Sequence, residues 1–129
     1  MNLKIEEDTP KTAEHILVCL SAAPSNQKIV DTAAKMANVL QARFTALYVQ
    51  TGTKSEALDK EKLEEHIRYA ERLGAEIVMT HGENIPVQIA EYARLSNVTK
   101  IVIGQSNARR NHFFSQATLT EKLIEIVPD

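Results

Sequence analysis

Apolar positions along this chain fall into short β-branched runs separated by longer stretches with helical spacing. The runs at 15–20 (HILVCL), 44–49, 76–79 and 98–103 each predict a strand. The first and last are apolar enough to be buried on both faces, as the central strands of a parallel sheet are. After Pro24, the residues Ile29, Val30, Ala33, Ala34, Ala37 and Leu40 recur at helical spacing, which predicts a helix capped by Ser25 or Asn26 and running to Gln41. A charged amphipathic helix is predicted over 55–73, with Leu58, Leu63, Ile67, Ala70 and Leu73 inward and Gly74 as its C′ residue. A third helix enters through Pro86 and runs to Leu95, and a fourth is predicted from Gln116 to Ile126. The order β-α-β-α-β-α-β-α specifies the α/β class, a doubly wound parallel sheet with helices on both faces.

Residues 1–13 lack periodicity and contain Pro10, so they read as a linker ahead of one domain spanning 14–129. With a net charge of −2 the chain has no overall attraction to nucleic acid or anionic membrane, so a phosphate ligand must be held by local groups. A single cysteine excludes an internal disulfide and fits a reducing, cytoplasmic setting. No apolar run approaches the roughly 20 residues that cross a bilayer, so this segment is expected to make no membrane contact.

Ligands of open α/β sheets bind beyond the strand C-termini where strand order reverses, so the loops after strands one and four are expected to face one crevice. One wall would carry Ser21, Ala22, Ala23, Ser25 and Asn26. The other would carry Gly104, Gln105, Ser106, Arg109, Arg110 and His112, and Asn107 beside them could help to grip a phosphate. Backbone groups at Thr45, Ala46 and Leu47 on strand two would read the edge of a base. A glycine, amide and hydroxyl side chains and two arginines ahead of a helix suit a phosphate, and they equally suit a solvated surface loop. His15, His66, His81 and His112 show no metal-ligand spacing, and Cys19 lies in a buried strand. Glu61, Glu64, Glu65 and Glu71 of the charged helix read as a solvated face with i,i+4 pairs to Lys60, Lys62, Arg68 and Arg72. The phosphate-loop, dinucleotide and nucleophile-elbow patterns do not occur, so the residues indicate no enzyme.

HILVCLS (15–21), FTALYVQT (44–51), AERLGAEIV (70–78) and IAEYARLSNVTKIVIG (89–104) together resemble the universal stress protein family. More narrowly, they resemble the domain of that family within the KdpD sensor histidine kinases of potassium uptake. The resemblance covers about 14–127 and implies a Rossmann-like, non-catalytic nucleotide-sensing fold, with the rest of a membrane-bound sensor kinase as its partner. ATP-binding members carry G-x2-G-x9-G-[ST] after strand four. Here Gly104 keeps the first glycine, Asn107 and Ala117 replace the other two, and Thr118 keeps the hydroxyl. Ser21 stands where those members have Asp. Some KdpD-type domains bind cyclic di-AMP through [AGC]-x-S-x-S-x2-N followed by FTAxY. Cys19, Ser21, Asn26, Phe44, Thr45, Ala46 and Tyr48 match that pattern, and Ala23 replaces its second serine. The resemblance therefore implies cyclic di-AMP or ATP as ligand, and a stand-alone ATP-binding stress protein or a nucleotide-free interaction module as the other readings. The family's fifth strand is expected to be missing, because the chain is read as stopping where it would begin. An open sheet edge could then pair with a second copy.

Overall fold

The computed structural model describes residues 13–110 and 124–128. Ten elements alternate along them: β1 (His15–Cys19), α1 (Asn26–Leu40), β2 (Arg43–Gln50), α2 (Lys54–Leu58), α3 (Lys60–Arg72), β3 (Glu76–His81), α4 (Ile85–Leu95), β4 (Lys100–Gly104), α5 (Gln105–Arg110) and β5 (Ile124–Val127). The strands form one parallel sheet in the order β3-β2-β1-β4-β5. Strand order reverses between β1 and β4, which creates a crevice at their C-terminal ends.

Alternate side chains of the central strands serve two helix layers. Ile16, Val18 and Leu20 meet Ile29, Val30 and Ala33 of α1 and Leu63 and Ala70 of α3 on one face. Leu17, Cys19, Ile101 and Ile103 meet Ile89 and Ala93 of α4 on the other. This double burial is why β1 is apolar from Ile16 to Cys19. Helix ends follow local chemistry. The Asn84 side chain accepts from Val87 N–H at 3.1 Å with Pro86 in the first turn of α4. Gly74 takes φ +98° just past α3, a left-handed position that suits glycine.

Four expectations are corrected. The final strand is present: β5 pairs in parallel with β4 through Ile101–Ile124 to Gly104–Val127. The edge of β4 is therefore covered, and β3 and β5 are the outer strands. Residues 124–127, predicted as the end of a helix, are extended because pairing with β4 outweighs local helical spacing, while the rest of that prediction (116–123) lies outside the described residues. The charged helix is two helices that break at Asp59, so its inward face changes phase. Leu58 is 84% exposed, and His66 is buried beside Leu63 and Ala70. The segment after Gly104 begins directly as helix α5 rather than as a loop.

At the N-terminal end of the sheet, buried His15 links three elements. Its Nδ1 donates to Ser96 O (3.0 Å) and its Nε2 accepts from the Thr45 hydroxyl (2.8 Å), which uses the neutral ring. Burial, with the nearby Arg43 charge, lowers its pKa below the ordinary 6.5 against the opposing Ser96 bond and Glu76. The unfolded chain therefore takes up the proton first. Stability is full above pH 6.5 and falls as pH drops below that value towards the folded pKa. Urea melts at pH 7.5 and 5 should show a decrease that is smaller in His15→Gln.

Candidate functional site

Beyond the C-terminal ends of β1, β2 and β4 lies a cavity of about 190 Å³. Leu47, Val49, Ile85, Ile89 and Ile103 give it an apolar side formed by β2, β4 and α4. Ser21 and Ala22, from the β1–α1 turn, form another side, and Asn107 of α5 closes it from beyond β4. Thr51, Thr53, Glu56 and Asp59, on the strap between β2 and α3, make the remaining wall. Apolar walls with a few convergent polar groups are the usual composition of a small-molecule site.

The turn after β1 is held from both directions. The Ser21 hydroxyl accepts from Ala23 N–H (3.2 Å), and Ser21 O accepts from Nδ1 of buried His66 (2.8 Å), tying the cavity wall to α3. Below the turn, Asn26 is wholly buried at the start of α1 and donates through Nδ2 to Cys19 O (3.1 Å). Burial pushes the Cys19 thiol up to about 12, so at neutral pH it stays protonated and serves as a small apolar wall residue.

On the strap, the Glu56 carboxylate accepts from Gly52 N–H (2.7 Å), Thr51 N–H (3.0 Å) and the Tyr48 hydroxyl. Burial disfavours its ionisation, yet the bonds from Tyr48, Thr51 and Gly52, with the His81 charge, hold its carboxyl below the ordinary range. Burial and the Glu56 carboxylate raise the Tyr48 phenol well above its ordinary value. At neutral pH the pair is therefore carboxylate and phenol, with the phenol as donor.

No family model matches the chain. Over 117 residues it is 41% identical to the sensor protein KdpD of Clostridium acetobutylicum, an alignment covering 88% of this chain and 13% of that protein. A universal stress protein from Archaeoglobus fulgidus, in complex with dAMP, superposes with a TM-score of 0.62 at 18% identity, covering 89% of this chain and 98% of the other. A universal stress protein in complex with cAMP gives 0.61 at 20% identity, covering 90% and 97%. The chain is a universal-stress-protein-like domain of the KdpD type. It spans about an eighth of the length of the sensor protein it matches.

Within this domain the sequence-predicted residues divide into several groups. Ser21, Ala22 and Leu47 line the cavity, as does Asn107. Ala23 and Ser25 are half-buried in the turn below, where Ser25 caps α1 without a side-chain bond. Thr45 and Ala46 are wholly buried, with the Thr45 hydroxyl taken up by His15 at the other end of the sheet. Gly104 is buried at the end of β4, whereas Gln105, Ser106 and Arg109 are exposed on α5 and do not line the cavity. Arg110 closes α5, and His112 lies outside the described residues. Sequence reasoning missed Thr51, Thr53, Glu56, Asp59, Ile85 and Ile89. The legible signal was Thr53-x-x-Glu56, a capping-box pattern. The Thr53 hydroxyl does accept from Glu56 N–H (3.2 Å), while the Glu56 carboxylate reaches back past Thr53 to Gly52 and Thr51.

Proposed function

We propose that this is a non-catalytic, cytoplasmic regulatory domain of a sensor histidine kinase controlling potassium uptake, and that it senses an adenine nucleotide, cyclic di-AMP in particular. The observation that carries the reading is one cavity at the strand-order reversal, lined by Ser21 and Ala22 after β1 and by Asn107 after β4. Its apolar side from Leu47 to Ile103 suits a purine, and its polar turns suit a ribose and phosphate. The similarity to a KdpD sensor protein and the nucleotides bound by two universal stress proteins support the same reading. The remainder of the parent kinase is the partner that would receive the signal. Isothermal titration with cyclic di-AMP and with ATP tests it. Saturable heat with the cyclic dinucleotide is expected, and silence with both at high micromolar ligand ends the proposal.

One observation favours a second reading, an interaction module without nucleotide. Arg109, the described arginine expected to neutralise phosphate, is exposed and off the cavity. A full-length kinase carrying Arg109→Ala and Arg110→Ala separates the two. Lost signalling in a chain whose unaltered form binds neither cyclic di-AMP nor ATP supports the interaction module, whereas parallel loss of nucleotide binding and signalling supports sensing.

A further inference from the structure

The most fully organised donors on the cavity wall are occupied by the chain's own carboxylate. Two backbone N–H groups, Thr51 and Gly52, and the Tyr48 hydroxyl converge on Glu56, and Tyr48, Thr51 and Glu56 all line the cavity. Two amides and a hydroxyl fixed around an oxyanion are equally suited to a phosphate oxygen. The cavity also has no lysine or arginine among its described lining residues to offset Glu56 and Asp59. A phosphate entering on this side meets repulsion and finds its donors taken.

Resting on the reading that a nucleotide occupies this cavity, we propose that Glu56 is a resident competitor for nucleotide phosphate. Its carboxylate fills the Tyr48, Thr51 and Gly52 donor set, and a phosphate gains those donors only by displacing it. The strap carrying Glu56 is built to move when that happens. Helix α2 has five residues and its Leu58 is 84% exposed, so little apolar burial holds it down. Displacement would withdraw Thr53 and Glu56 from the wall and free the strap, giving phosphate occupancy a consequence that adenosine alone does not have.

Titrating the 129-residue chain with adenosine, AMP and ATP tests this. Glu56→Ala should tighten AMP and ATP by about tenfold, the scale of one charge-assisted bond, and leave adenosine within about twofold. Asp59→Asn removes an equal charge from the same wall but frees no donors, so it should tighten ATP by less than about threefold. Adding Tyr48→Phe to Glu56→Ala should cancel part of the gain. Glu56→Gln, which keeps an acceptor for the strap amides, should shift affinity in the same direction by less and guards against a collapsed strap. Equal tightening by Asp59→Asn, or loss of all three ligands together in both Glu56 variants, overturns the inference in favour of a general charge effect or a purely structural cap. Adenosine binding to the unaltered chain reports separately on the cavity reading. If no probe binds any variant, both proposals fail.

Discussion

Ile101→Ala should destabilise the domain by about 3 kcal/mol and lower its melting temperature by about 10 °C. Ile101 is wholly buried in β4, in register with Leu17 on one side and Ile124 on the other, and packs in the layer that includes Ile89 and Ala93. Truncation there removes three methylene-sized groups from a position that neighbouring strands cannot close around, because their backbones are held in the ladder. Leu58→Ala supplies the contrast. Leu58 belongs to the apolar stripe predicted for the charged helix but is 84% exposed, so its removal should change stability by less than about 0.5 kcal/mol. Chemical denaturation of the two variants beside the unaltered chain checks both. A comparable loss from Leu58→Ala would mean that the strap is packed inward.

Ile85→Trp should abolish nucleotide binding, reducing affinity by about a hundredfold or more, while stability changes by about 1 kcal/mol or less. Ile85 is half-buried at the first position of α4 and lines the apolar side of the cavity. An indole from this position would fill the space assigned to the base. It disturbs neither the Ser21 turn nor the sheet. Titration with cyclic di-AMP, paired with a thermal melt, separates a blocked cavity from an unfolded protein. Unchanged affinity would move the ligand elsewhere on the domain.

The candidate site was legible only in part, for identifiable reasons. Ser21 and Ala22 could be placed because they follow β1, an apolar run whose position in a parallel sheet is dictated by burial on both faces, whereas Asn107, beyond β4, was read only as part of a phosphate grip. Thr45 was proposed through its backbone groups and its place in FTAxY; what the sequence did not reveal is that its hydroxyl bonds His15, thirty residues away. Glu56 was not singled out, because it falls at the start of the stretch predicted as one charged amphipathic helix. Its carboxylate matters because the turn after β2 bends Thr51 and Gly52 N–H towards it and β2 directs Tyr48 to the same point. Gly52, with φ +79°, makes that bend accessible.

Alternation of apolar runs and amphipathic stretches, by itself, determined the class of fold and the edge of the sheet where a ligand could sit. Strand and helix periods are local properties, and right-handed crossovers leave few arrangements. Only the tertiary structure decided that residues 124–127 extend along β4, that the charged helix breaks at Asp59, and that a carboxylate closes on the cavity's donors. Each of those depends on a partner distant in sequence or on the direction in which a turn sets its amide groups. Hydrophobic spacing carries neither kind of information.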